Sequence, residues 1–179
     1  MDVFYISKTK KHLILVVLNV TNKALIVMIL DETDKKILRL LQVDAHLTLK
    51  DIANKINLSV TPVHDRVKRL EKEGVIEKYV SILNKKKLGN NLMVYCQVTL
   101  VKQTFDVLEG FNQSIMNMPE VVECNFISGS FDYMLKIILP DMESYHNFHQ
   151  KKLSVLPEVS LINSFFIISE VKSTTVLPI

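Results

Sequence analysis

The sequence predicts an α+β protein built of a helical head and a following β-α-β-β-α-β half. Three observations predict it. Between Asp31 and Gly74 apolar residues recur at helical spacing, broken by cap and turn residues. From Leu92 onward, strand-like alternation and helical stripes take turns. Charge divides along the same line: residues 31–90 carry thirteen basic and nine acidic side chains, residues 91–179 five and nine. A basic part joined to an acidic one points to a polyanion for the first and a different task for the second. An apolar share of 48% excludes a disordered chain.

Residues 1–30 form an N-terminal extension with its own pattern. Lys8, Lys10 and Lys11 precede an apolar run from Leu13 to Leu18, and a second run spans Ala24 to Leu30. Thr21-Asn22-Lys23 between them offers no small-residue cleavage site, so a secretory signal is disfavoured. Asn19, Asn22 and Lys23 interrupt what would have to be about 18 unbroken apolar residues in a membrane span. Two strands turning at residues 21–23 fit the Ile, Val and Leu content. The favoured alternative is that translation begins at Met28, three residues before a well-formed helix start.

The head occupies residues 31–84. Asp31, Glu32 and Asp34 place acid at a helix N-terminus, and Ile37, Leu38 and Leu41 continue as an apolar stripe to about Val43. Thr48 with Asp51 predicts a capping box for a second helix whose Leu49, Ile52, Ala53 and Ile56 share one face. Asn57 suits a left-handed exit. Ser59 is placed to cap a third helix, with Thr61 and Pro62 in its first turn, Val63, Val67 and Leu70 inward, and Gly74 at its end. Residues 75–82 read as a strand, a small wing.

The outward positions of the third helix, Thr61, His64, Asp65, Arg66, Lys68, Arg69 and Lys72, are polar and mostly cationic. Such a helix fits the DNA major groove, where residues near its N-terminus reach base edges and Arg and Lys neutralise phosphates. Ser59, Thr61, Pro62, His64, Arg66, Lys68 and Arg69 are therefore the candidate DNA-binding residues. The alternative is a head that binds protein in a metabolite-sensing or assembly module; salt-dependent binding to duplex DNA separates the two.

Residues 85–91, Lys85-Lys86-Lys87 followed by a Gly-Asn stretch, read as a linker. The second domain, residues 92–179, opens with a strand from Leu92 to Val101. Phe105, Leu108, Phe111 and Ile115 mark a helix. Two strand-like runs, 121–128 and 133–139, flank the Gly129-Ser130 hairpin; a helix from Met142 to about Leu153 and a strand from Val159 to Ile168 follow. The order is that of a ferredoxin-like split βαβ, an antiparallel sheet with both helices on one face. The uncovered face invites a partner subunit.

Cys96 and Cys124 lie in strand-like runs outside any metal or redox spacing and read as buried packing residues. His12, His46, His64, His146 and His149 are scattered. No phosphate loop, nucleophile elbow or His/carboxylate metal spacing occurs, so neither an enzyme nor a metal or other cofactor is expected.

The segments LDETDKKILRLLQ, LSVTPVHDRVKRLEKEGVI and ISGSFDYMLKIILPDM closely resemble the Lrp/AsnC family of feast/famine transcriptional regulators, from about Leu30 to Leu177. The resemblance implies that the helix 59–73 is the recognition helix; Val60 and His64 depart from the family's commoner choices, which bears on the target sequence. It also implies that the second domain pairs subunits, assembles further and binds an amino acid or similar effector between them. Gly129, Ser130, Phe131 and Asp132 correspond to the family's effector loop, Met142, Phe165 and Phe166 are similar to ligand-response positions, and Asp132 is implied to meet an α-ammonium group. The expectation is a cytoplasmic homo-oligomer on double-stranded DNA, with no membrane association.

Overall fold

The computed structural model describes the backbone of residues 4–9, 12–18 and 24–179, and side chains from residue 29 onward. The chain divides into two units, Met1–Ser81 with Thr174–Ile179, and Ile82–Ser173.

In the first unit β1 (Phe4–Thr9), β2 (His12–Leu18) and β3 (Ala24–Met28) form an antiparallel sheet in that order, Tyr5 opposite Val16 and Ile14 opposite Met28. β2 and β3 are the two arms expected of a hairpin; the expected turn at residues 21–23 lies outside the described residues. β1 is an addition, although Phe4, Tyr5 and Ile6 are residue types that favour strands.

Three helices follow: α1 (Glu32–Val43), α2 (Leu49–Ile56) and α3 (Val60–Lys72). Asp31 caps α1, its carboxylate accepting from the Asp34 N–H at 2.8 Å while Asp34 accepts from the Asp31 N–H at 3.2 Å. Thr48 and Asp51 make the same reciprocal box on α2. Each box satisfies two N–H groups that a helix start leaves without intrahelical acceptors. Asn57 ends α2 in the left-handed region, φ 57° and ψ 48°, and the next N–H, of Leu58, donates to Ala53 O. The chain thereby turns within three residues, and Ile37, Leu38, Ile52, Ala53, Val63, Val67 and Leu70 close a dry core.

Gly74 leaves α3 at φ +71°, and the Val75 and Ile76 N–H groups both donate to Leu70 O. The expected wing strand over residues 75–82 is absent. Val75 and Ile76 pack on the helical core and residues 77–84 run exposed, with no strand paired to them among the described residues. A strand is defined by its ladder, and β-prone side chains alone do not supply one. Residues 174–179, expected in the second domain, belong with the first unit. Gln42 of α1 donates to Leu177 O and accepts from the Leu177 N–H, and Arg39 Nε donates to Ile179 O at 2.6 Å.

The second unit begins with one helical turn at Lys86–Leu88 and then holds β4 (Leu92–Leu100), α4 (Phe105–Met116), β5 (Val121–Phe126), β6 (Tyr133–Leu139), α5 (Met142–Phe148) and β7 (Val159–Phe166). A wider helical turn, His149–Leu153, continues α5 to the expected end. The sheet order is β5-β6-β4-β7, every pair antiparallel, as the ferredoxin-like arrangement requires. Val94, Cys96, Val98 and Leu100 of β4 alternate into the core with Tyr133, Leu135, Ile137 and Leu139 of β6, beneath Phe111, Ile115, Tyr145 and Phe148 of the helices. Cys96 is buried as expected, bonded to the hydroxyls of Tyr145 and Ser164. Cys124 is not: it is exposed, because β5 is an edge strand left bare over residues 122–126.

Candidate functional site

α3 carries three distinct flanks. Val63, Val67 and Leu70 anchor it in the core. Thr61, Pro62, Asp65, Lys68 and Lys72 are exposed on the opposite side, with His64 half-exposed beside them and its ring 3.4 Å from the Asp65 carboxylate. Ser59 occupies the N-cap position, but its hydroxyl makes no cap bond, contrary to expectation. The first-turn N–H groups, which have no intrahelical acceptor, therefore face outward with a free hydroxyl beside them.

The third flank departs from the sequence reading. Arg66 and Arg69, expected on the free cationic face, turn toward the start of α1. Arg66 Nη1 donates to Asp31 Oδ2 at 2.6 Å and to Asp34 Oδ1 at 2.7 Å, and Arg69 Nη2 donates to Asp34 Oδ2 at 2.6 Å. Asp34 is only 1% exposed. A carboxylate that far from water is costly to bury as a charge unless it is paired, and Arg66 and Arg69 supply the pairing. Partial burial works against the charge on Arg66, yet its bonds to Asp31 and Asp34 outweigh that and raise its pKa. Asp31 shows the converse: burial pushes upward, while the Asp34 N–H and Arg66 hold it below the ordinary carboxylate value.

Sequence reasoning took Asp34 for a helix-start acid only. A signal was present nonetheless. Asp34 lies three and four residues before Ile37 and Leu38, inside the apolar stripe, where an acid requires a cationic partner.

Below α3's exposed side, His64 and Lys68 rim a cleft of about 280 Å³ together with Leu47, Glu71 and Tyr79. The Tyr79 hydroxyl donates to Glu71 at 2.8 Å. Burial, reinforced by that carboxylate, pushes its pKa up to about 12.

In the second unit the expected effector residues separate into two groups. Gly129, Ser130, Phe131 and Asp132 form the β5–β6 hairpin, at the end of the sheet where Asp132 N–H donates to Val98 O. Phe165 and Phe166 pair with Tyr95 and Val94, and Met142 follows β6 where Leu139 meets Leu92, at the opposite end. Along β4 the hairpin's contact at Val98 lies three residues, roughly 10 Å, from Phe165's partner Tyr95, and six residues, roughly 20 Å, from Leu92 at Met142's end.

Asp132 has partners within its own chain. Its side chain is 3% exposed and its carboxylate accepts from the Leu100 N–H at 2.7 Å and from Gln103 Nε2 at 2.5 Å. It braces the hairpin against the end of β4 instead of standing open to solvent. Phe166 packs edge-on against Tyr145 at 5.1 Å between centroids and is still 41% exposed, and Phe165 and Met142 are 49% and 55% exposed.

The sheet face away from the helices is half-buried along β4 and β6 and exposed at Leu161 and Phe165 of β7. Met93, Tyr95, Gln97 and Thr99 of β4 share it with Met134, Lys136 and Ile138 of β6 and with Leu161 and Phe165 of β7, as the register dictates. Among the described residues no group of three His, Cys, Asp or Glu is placed to hold a metal ion, and no helix is long and apolar enough to cross a membrane.

Two family models match these two units in turn. Residues 30–77 match a winged helix-turn-helix DNA-binding model, and residues 93–177 match the Lrp/AsnC ligand binding domain. The chain belongs to the Lrp/AsnC family. It is 41% identical over 142 residues to the leucine-responsive regulatory protein of Haemophilus influenzae, covering 79% of this chain and 86% of that one. With the leucine-responsive regulatory protein of Escherichia coli K12 it shares 37% over 143 residues, 80% of this chain and 87% of the relative.

Solved Lrp/AsnC-like structures superpose over most of the chain. A Neisseria meningitidis transcriptional regulator in complex with L-Met gives a TM-score of 0.81 at 32% identity, covering 84% of this chain and 97% of the other. An AsnC family transcriptional regulator from Agrobacterium tumefaciens gives 0.80 at 34% identity, covering 83% and 97%. As an Lrp/AsnC protein the chain is a DNA-binding transcriptional regulator that carries the family's ligand-binding domain.

Proposed function

We propose that this Lrp/AsnC chain acts as a homo-oligomer whose α3 helices read successive major grooves of an operator, and whose assembly responds to an amino acid held between copies. One observation carries the DNA-reading part. α3 is fixed by its core flank and its Asp34 flank, and offers the groove a bare N-terminus with Thr61, Pro62 and His64 leading and Lys68 and Lys72 behind. Base edges are reached from such an N-terminus, and the lysines and first-turn N–H groups suit phosphates. Arg66 and Arg69 act as braces for this face.

Assembly rests on the sheet face away from the helices. Tyr95, Ile138, Leu161 and Phe165 on one side of the sheet form a surface that a second copy covers. A partner also answers the split between the two effector groups: the exposed Gly129 and Ser130 and the half-buried Phe131 of one copy's hairpin and Met142 and Phe165 of another complete one site, with Asp132 holding the hairpin in shape. Coupling to DNA requires that the ligand bind one assembly more tightly than another. The reading places the protein in the cytoplasm beside the DNA, without catalytic activity or a fixed cofactor.

The test is to sequence the DNA that the full chain retains from a genomic pool, and to repeat the capture across amino acids. A shared motif with two half-sites about one helical turn or its multiple apart is expected. Retention without any motif refutes the reading.

A further inference from the structure

The carboxylate of Asp34 gathers two cations of one helix. It receives Arg66 at 2.7 Å and Arg69 at 2.6 Å, and Arg66 also reaches Asp31 at 2.6 Å. Residues 66 and 69 lie one turn apart on α3, so two points on a single flank are pinned to the first turn of α1. Pinning two points of a helix fixes both its slide and its roll, which one contact cannot do. Two carboxylates and two guanidiniums also cancel in charge, and a guanidinium bonded to a buried carboxylate is not offered to a phosphate.

We propose that Asp34 is a positioning residue for DNA reading, locking the roll of α3 through Arg66 and Arg69 and withholding those two guanidiniums from the phosphate backbone. The proposal rests on α3 being the reading helix. It assigns the head's selectivity to a carboxylate that does not touch DNA. Turning α3 by one residue position, about 100°, would exchange Thr61, His64 and Lys68 at the groove for their neighbours.

The experiment uses the full chain and its near-isosteric variant Asp34→Asn, with circular dichroism confirming the helices. Each is titrated onto the operator recovered from the genomic pool and onto a scrambled duplex of equal length, between 50 and 200 mM salt. In Asp34→Asn both guanidiniums lose the Asp34 carboxylate while Arg66 keeps Asp31, so the salt slope on the scrambled duplex steepens by about 0.9 for each arginine that turns to a phosphate, about 3.5-fold in affinity each over that salt range. Loss of the fixed roll lowers the operator-to-scramble ratio by on the order of tenfold. An Asp34 that serves folding alone lowers both affinities together and leaves the slope unchanged, and that result overturns the proposal.

Arg66→Ala, which leaves Asp34 its bond to Arg69, provides a second test should Asp34→Asn fail to fold. Its scrambled-duplex slope is expected to equal that of the unaltered protein while operator affinity falls. A slope shallower by about 0.9 places Arg66 on a phosphate and overturns the proposal. Failure of the DNA-reading function itself is distinct, since the unaltered chain would then retain no motif at all.

Discussion

Replacing Asp132 with alanine removes the carboxylate that accepts from two donors at the end of β4. The Leu100 N–H, 2.7 Å from the carboxylate, belongs to a residue 5% exposed, and Gln103 Nε2 lies 2.5 Å from the other oxygen. A hydrogen bond to a charged group contributes about 1.5–3 kcal/mol, and an orphaned buried N–H costs a similar amount. Gln103 is exposed and regains water, so most of the loss falls on Leu100. The sum is about 3 kcal/mol. For a unit of this size that corresponds to a fall in Tm on the order of 15 °C. Scanning calorimetry measures the fall, and hydrogen exchange localises it: protection of the Leu100 amide should drop roughly 150-fold, in line with 3 kcal/mol at 1.36 kcal/mol per tenfold. A Tm within about 3 °C of the unaltered protein, with the Leu100 amide still protected, refutes the brace and returns Asp132 to a solvent-facing part.

Asn57→Ala, at φ 57°, is expected to cost about 1–2 kcal/mol in a denaturant titration, whereas Asn57→Gly stays within a few tenths; equal effects of the two would contradict the left-handed turn. Tyr79, with its pKa raised to about 12, favours the neutral phenol in the folded state, so its contribution to stability is complete below about pH 10 and disappears as pH climbs through about 12. Ultraviolet titration should follow this, and Glu71→Gln should bring the midpoint down; an ordinary phenol midpoint near 10 in the unaltered protein counts against the Glu71 bond. Phe165→Asp puts a charge on the open sheet face at its β7 edge and should dissociate the oligomer in sedimentation while leaving the helical head's far-ultraviolet signal intact. Unchanged sedimentation would mean that copies meet elsewhere.

Local rules read the helical head well. The Asp31 and Thr48 capping boxes, the Asn57 exit and the inward stripe of Ile52, Val63, Val67 and Leu70 are each decided within a few residues, and each stands where the spacing puts it. The alternation of β4 and β6 is legible for the same reason. What escapes the sequence is pairing at a distance. Arg66 and Arg69 look solvated on a helical wheel because nothing local says that the start of α1 packs alongside them, 32 to 35 residues earlier. Residues 75–82 have strand-like composition, yet without a ladder they form none. Asp132 sits in a Gly-Ser loop that reads as exposed, and only the end of β4 folding over it makes it internal. The expected effector residues come from three separate segments, and only the strand register shows that Met142 lies at the end of the sheet opposite the 129–132 hairpin.

The central claim is that the exposed side of α3 enters the major groove. Dimethyl sulfate footprinting on the recovered operator tests it directly, because guanine N7 faces that groove. The unaltered protein should protect guanines in both half-sites, and Thr61→Ala with His64→Ala should lose that protection at specific positions while Lys68 keeps the protein on the duplex. Guanines that remain fully reactive beneath a bound protein would contradict the account.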